Sequence, residues 1–340
     1  MTFQIIWFIL WGVLWALYFM LDGFDLGAGC LYPWLAKTDS EKAAVRASIY
    51  PVWDGNEVWL LTAGGATFAA FPAMYASMFS FFYTPLLFIL FALILRGAAL
   101  EFRAKGEGKR WARTWDGIIP VASLVPAFFF GVTFGNIFRG LPFDAAGNHG
   151  TFLTLLNPYS LLTGLFFAAL FLVHGALWLA MKIGGDFGAK ALRAANGLWF
   201  VLFVFSAAFF VLTPFSTALE ANYLRHPVWL AVPVLALLAL VEVKLHAAKK
   251  QAGRAFGASS ALIVLVMATG LVGLYPNLLP SSLDPARSLT IFNASSSPYS
   301  LRIMTIVALV FVPLVIGYQL WVYRVFRGKI AVEERDAGVY

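Results

Sequence analysis

Four acidic side chains occur as two pairs at one spacing: Asp22 with Asp25, and Asp54 with Glu57 in Trp53-Asp54-Gly55-Asn56-Glu57-Val58-Trp59. Residues three apart share a face of a helix. Carboxyls gathered in a poorly hydrated place raise one another's proton affinity, so such pairs can bind protons and hand them on near neutral pH. A plainer reading exists. Acids in a helix's first turn are favoured by its dipole and cap free N–H groups, which suits Asp54 and Glu57, while Asp22 and Asp25 could mark where a helix meets water. Trp53 and Trp59 flank the acidic cluster, although an interfacial aromatic belt explains them about as well. Glu101, in Arg96-Gly97-Ala98-Ala99-Leu100-Glu101-Phe102-Arg103, has arginines on both sides, which points to a surface ion pair. Of four histidines only His174, in Phe171-Leu172-Val173-His174-Gly175-Ala176, lies within a long apolar run. It could ligate a haem iron, the glycine leaving room for a porphyrin. A helix–helix hydrogen bond is the favoured alternative, because no second histidine at that depth completes a pair of ligands. The single cysteine, Cys30, excludes an internal disulfide and any metal site built on several thiolates.

The elements that must carry these residues follow from composition. Of 340 residues, 61% are hydrophobic and 12% charged, against about 45–50% and about 25% in soluble domains. Such a chain cannot cover its surface with polar groups in water. A soluble enzyme, a disordered chain and a nucleic-acid binder are excluded. The sequence is that of an all-α polytopic membrane protein.

A membrane-spanning helix needs about 20 mostly apolar residues. Runs of this kind occur at Met1–Leu21, Val58–Leu95, Ile118–Phe138, Pro158–Met181, Gly197–Leu219, Ala258–Leu283 and Ile303–Tyr323, with a shorter one at Pro227–Val241 that ends at Glu242. The second is too long for one helix, and Phe71-Pro72-Ala73 near its middle predicts a tight turn between two spans. Nine transmembrane helices are therefore expected, at about 4–30, 51–71, 74–95, 117–138, 158–181, 196–219, 227–246, 258–279 and 302–324, forming one membrane domain over residues 1–340. The first run reads as a retained span, because it lacks a short hydrophobic core followed by a small-residue cleavage site.

Cytoplasmic loops keep the excess of Lys and Arg. All but four of the 24 fall after the first, third, fifth, seventh and ninth spans, which places the N-terminus outside, on the periplasmic side, and the C-terminus in the cytoplasm. The formal charge of +7 is thereby explained by topology. Val58–Phe71 is too short to cross the hydrocarbon, so the second helix must begin near Pro51, a favourable first-turn residue. That draws Asp54 and Glu57 into the cytoplasmic membrane margin, which Asp25 approaches from the end of the first span. Three or four carboxyls should then meet at one depth.

At Gly23-Phe24-Asp25-Leu26-Gly27-Ala28-Gly29 and Trp53-Asp54-Gly55-Asn56-Glu57-Val58-Trp59-Leu60 the chain resembles subunit II of the cytochrome bd family of quinol oxidases. The resemblance continues through Thr62-Ala63-Gly64-Gly65-Ala66, Phe71-Pro72-Ala73-Met74-Tyr75-Ala76 and Asn157-Pro158-Tyr159-Ser160-Leu161-Leu162. It resumes at Tyr275-Pro276-Asn277-Leu278-Leu279-Pro280-Ser281-Ser282 and Asn293-Ala294-Ser295-Ser296-Ser297-Pro298-Tyr299, and so spans nearly the whole chain. It implies a heterodimer of two similarly folded nine-helix subunits in the bacterial or archaeal cytoplasmic membrane. Subunit I carries two b-type haems, the haem d where oxygen is reduced, and the loop that oxidises quinol. Subunit II, without a transferable haem ligand, supplies an intersubunit wall, access for oxygen and part of a proton path from the cytoplasm. Asp25, Asp54 and Trp59 match family positions implicated in those routes, with Trp53 and Asn56 beside them. Glu57 is often an amide in other members, and His174 stands where they have glutamine. Some members hold a quinone in subunit II or add small single-span accessory subunits.

Two other readings compete. A proton-coupled transporter tends to show two related halves with broken helices and polar groups meeting near the midplane, whereas here the acids sit in one hairpin. A purely structural scaffold predicts that neutralising Asp54 alters assembly without altering turnover.

Overall fold

The computed structural model describes residues 2–106 and 108–332; Arg335, one of the basic residues used to orient the chain, lies outside them. Helices dominate: α1 (Thr2–Leu35), α2 (Asp39–Ile49), α3 (Trp53–Ala70), α4 (Pro72–Phe81), α5 (Tyr83–Phe102), α6 (Lys109–Arg139), α7 (Phe152–Leu155), α8 (Pro158–Lys182), α9 (Gly185–Ser216), α10 (Glu220–Arg225), α11 (Ala231–Ala248), α12 (Ala252–Leu274) and α13 (Pro298–Val325). Two short antiparallel strand pairs, β1 (Phe143–Asp144) with β2 (Gly147–Asn148) and β3 (Asn277–Leu279) with β4 (Leu289–Thr290), and two 3-10 turns, Pro227–Leu230 and Pro285–Arg287, lie between them.

Among the described residues, eight helices are long and apolar enough to cross a membrane, one of them extended at its start as Pro227–Ala248. This is a multi-pass membrane protein. The second expected span, α3, is not among the eight. Its first turn and a half carries Asp54, Asn56 and Glu57, and these offset the apolar residues behind them. The third expected span is divided between α4 and α5 at Phe82. Pro85 explains the break: it has no N–H to give the carbonyl of Phe81, and its ring crowds that carbonyl. The first helix also runs further than expected. Asp22 and Asp25 do not mark its end, for α1 continues ten residues past Asp25 to Leu35, about 15 Å of helix.

α1 is the central post, packed against α3, α6, α8, α12 and α13. Helices in lipid associate through close approach of small residues, and α1 meets α8 in this way. A Cβ on Gly27 would stand 1.8 Å from the Phe171 carbonyl oxygen, and one on Gly175 would stand 2.3 Å from the Ala28 nitrogen. Around this crossing Trp15, Phe19, Phe130, Phe134, Phe167 and Phe171 interlock, mostly edge to face, with centroids 5.3–5.9 Å apart for Phe19 against its neighbours.

The helix ends are tied by charge and by loops. Asp116 accepts from Tyr32 at 2.6 Å, from Lys42 at 3.0 Å and from Arg103 at 2.7 Å, joining α1, α2, α5 and α6. At the opposite end Ser296 binds the carbonyls of Ala69 and Ala70, and Gln4 donates to Ser295, closing the segment before α13 over α1 and α3. α13 itself lies on the outside of the bundle, with Leu301 its one buried residue.

Candidate functional site

Among the described residues, the buried aspartates and the buried arginine converge on one place, where α1, α3, α5 and α13 meet. α1 contributes Asp22 and Asp25, 0% and 1% exposed. Arg96 reaches them from α5, 2% exposed, with Nη2 2.6 Å from Asp22 Oδ1 and 2.9 Å from Glu57 Oε2. Two buried charges in contact offset the large cost of removing each from water, provided neither is left alone. The Glu57 side chain remains 25% exposed, so its bond to Arg96 is partly screened.

A second string runs beside the first. Asn56 Nδ2 donates to Asp25 Oδ2 at 2.7 Å, and Asn56 Oδ1 accepts from Gln319 Nε2 and Tyr323 Oη of α13, each at 2.8 Å. The amide is thus oriented by its partners, N–H toward the carboxylate and oxygen toward two donors. Near the Tyr323 end a cavity of about 310 Å³ is lined by Pro51, Val52, Trp178, Lys182 and Tyr323 itself. The Lys182 ammonium binds the carbonyls of Phe326 and Gly328, fixing the chain that leaves α13.

The expected cluster of like charges is therefore amended. Asp22, Asp25, Asn56 and Glu57 come together, but with a guanidinium between Asp22 and Glu57. Trp59, one turn beyond Asn56, is buried behind them. Trp53 lies against α5, its ring 3.2 Å from where a Cβ on Gly97 would be. Asp54 is not in the cluster. It is exposed on the face of α3 that carries Val58, Leu61 and Phe68, while Asn56, Trp59, Ala63 and Thr67 form the buried face. Glu101 accepts from the Tyr50 hydroxyl at 3.2 Å, and among the described residues it makes none of the ion pairs its flanking arginines suggest.

His174 lies elsewhere, on α8, fully buried and stacked on Phe256 at 4.5 Å. Its Nε2 is 3.0 Å from the Met20 carbonyl oxygen and its Nδ1 is 2.6 Å from Ser259 Oγ. A carbonyl only accepts, so Nε2 carries the proton, while Nδ1 is engaged by the Ser259 hydroxyl, which also reaches the Phe256 carbonyl at 2.8 Å. Both nitrogens are committed to joining α1, α8 and α12, an arrangement that does not fit ligation of a haem iron. Among the described residues no group of three or more His, Cys, Asp or Glu side chains is placed to hold a metal ion.

Arg96, Gln319 and Tyr323 were not singled out from the sequence. Arg96 closes a long apolar run and reads as the first charge of a cytoplasmic loop; the signal against this is the apolar stretch Gly97–Leu100 that follows it, which lets α5 continue to Phe102.

Comparison with known proteins bears on this geometry. A family model described as cytochrome bd terminal oxidase subunit II matches residues 3–326. The chain belongs to this family. Similar proteins include a cytochrome bd ubiquinol oxidase subunit 2 of Bacillus subtilis, 38% identical over 330 residues covering 97% of both chains. A cytochrome bd-I ubiquinol oxidase subunit 2 of Escherichia coli is 33% identical over 369 residues, covering 99% of this chain and 97% of that one. Among solved structures, the bd oxidase of Geobacillus thermodenitrificans superposes with a TM-score of 0.79, covering 96% of this chain and 99% of the other. At 18% identity that likeness is one of fold. As a member of the family, the chain is one subunit of a membrane-bound terminal oxidase, an oxidoreductase complex, and acts together with a partner subunit.

Proposed function

We propose that this chain is the haem-free subunit of a quinol-oxidising, oxygen-reducing complex, and that its buried polar junction carries protons taken from the cytoplasm. The redox chemistry belongs to the two b-type haems and haem d of subunit I, which reduce oxygen to water with electrons from quinol. The reduction consumes protons as well as electrons, and this chain's residues deliver some of them.

The observation that carries this reading is the pair of strings Asp25–Asn56–Tyr323 and Asp22–Arg96–Glu57, buried where a membrane protein tolerates ionisable groups only for function. The roles divide by chemistry. Arg96 bridges Asp22 and Glu57 and fixes where both carboxyl groups sit. Asn56 passes no proton, since an amide N–H would have to tautomerise; it pins Asp25 Oδ2 and leaves Oδ1 to take up and release one. Partly exposed Glu57 and the cavity at Tyr323 lie on the side from which protons arrive. Nine spans, with α3 as the second, an outer N-terminus and a cytoplasmic C-terminus complete the proposed arrangement. The uncovered face formed by α13 and the Asp54 stripe of α3 is where subunit I seats, making Asp54 a group shared across the interface.

The test is Asp25→Asn in the assembled complex, purified with its haems intact. Loss of one proton-transfer group lowers turnover by about 10²-fold. Wild-type oxygen consumption in that variant would overturn the reading.

A further inference from the structure

The junction has a feature that the two strings leave unused. Ten buried side-chain nitrogen and oxygen atoms meet no hydrogen-bond partner within the described residues, and six of them are gathered here: Trp15 Nε1, Tyr18 Oη, Asp22 Oδ2, Asp25 Oδ1, Arg96 Nε and Arg96 Nη1. Four of those six belong to α1 at positions 15, 18, 22 and 25. Spacings of three, four and three residues keep them on one face of the helix. Tyr18 is 0% exposed and stands at the centre of α1, seven residues and about 10 Å from Asp25.

Buried polar atoms without protein partners are costly, and in native proteins they are met by ordered water that makes two to four bonds each. The site is polar and the donors and acceptors are mixed. Arg96 offers N–H groups, the two carboxylates offer free oxygens, and the Tyr18 hydroxyl both donates and accepts. The indole of Trp15 only donates, so no proton passes beyond it. On the other side Tyr18 is closed in by the rings of Trp15, Phe19 and Phe130, with centroids 6.3, 5.3 and 5.2 Å away.

Resting on the function proposed above, we infer that a cluster of buried waters bridges Asp25, Asp22 and Arg96 to Tyr18, and that the Tyr18 hydroxyl is the innermost proton-carrying group of this chain. A proton released from Asp25 Oδ1 moves through these waters to the phenol, which accepts it and donates its own to the water at Asp22 Oδ2, with no net change at the tyrosine. The network thereby reaches mid-membrane depth along α1, while Trp15 ends it.

Tyr18→Phe tests this, because it deletes one hydroxyl and keeps the ring that packs against Phe19 and Phe130. If the hydroxyl were merely structural, its removal would leave turnover untouched. The expected result, in the assembled haem-replete oxidase, is a fall in turnover of about 10²-fold at saturating quinol, as for the loss of one proton-transfer group. The quinol KM should stay the same, the solvent deuterium isotope effect should rise, and the haem spectrum should not change. Turnover and isotope effect equal to the wild type would overturn the inference. So would a high-resolution map of the wild-type complex with no water density between Tyr18 and Asp22. Asp25→Asn measured alongside separates the two claims: if it is slow while Tyr18→Phe is normal, only the water cluster falls; if it too is normal, the proton-carrying function falls with it.

Discussion

Replacing Arg96 with leucine removes the one cation between Asp22 and Glu57. Asp22 is 0% exposed, so its charge would be left in a low-dielectric interior with no counter-ion. Breaking a buried pair from one side costs about 3–5 kcal/mol, most of it the penalty on the stranded partner. Glu57 adds little, because a side chain 25% exposed can turn to solvent. In a domain of a couple of hundred residues 1 kcal/mol moves Tm by about 2–4 °C, so Arg96→Leu should lower the unfolding temperature of the purified complex by on the order of 10 °C. The decisive comparison is the double variant Arg96→Leu with Asp22→Asn, which removes the stranded charge as well. Residues in direct contact couple by about 0.5–3 kcal/mol, and recovery of several degrees over Arg96→Leu alone is expected. Scattering-detected melting of the single and double variants at one protein concentration measures both. If the double variant melts no higher than Arg96→Leu, the pair is not compensating charge in the interior and the reasoning is refuted.

Two further outcomes follow from features remote from the junction. Gly27→Ala places a methyl group 1.8 Å from the Phe171 carbonyl, where no side-chain rotation relieves it, so α1 and α8 must part; recovery of assembled complex should fall by about tenfold or more, whereas Gly197→Ala, with nothing within 4 Å, should be recovered normally. In the hairpin of β1 and β2, the bond from His149, helped by the Ala146 N–H, holds the Asp144 carboxyl below its usual range. A carboxyl depressed in the folded hairpin favours it above the ordinary carboxylate range, and that contribution disappears as pH falls through the depressed value. Protection of the Ala146 amide, corrected for intrinsic exchange, should therefore be full at neutral pH and lost once the pH falls beneath the ordinary Asp range; equal protection at both would contradict this.

Much of the junction was legible because local spacing encodes it. Asp22 with Asp25, and Asn56 with Glu57 and Trp59, sit at helical intervals, and the length of the apolar run behind them draws the second group into the membrane. Arg96 was misjudged for a physical reason: an arginine at the edge of an apolar run looks the same whether its helix stops or continues, and only packing of the next six residues decides. Gln319 and Tyr323 reach Asn56 across more than 260 positions of chain. No periodicity reports a contact of that range. Asp54 shows the converse limit. Its three-residue spacing from Glu57 is real, yet the helix turns it toward the uncovered face and Glu57 toward Arg96. A spacing of three places two side chains near each other without stating what either one faces.

The exposed last helix has a consequence for the cell rather than for the reaction. α13 buries one residue, and the stripe of α3 that carries Asp54 likewise has no cover from the described residues of its own chain. A copy made without its partner presents a carboxylate and unpacked helix surface to lipid, the kind of defect that membrane-bound proteases recognise in unassembled chains. With subunit I seated on this face as proposed, a surplus copy keeps that surface uncovered, and the scarcer polypeptide limits how much complex accumulates.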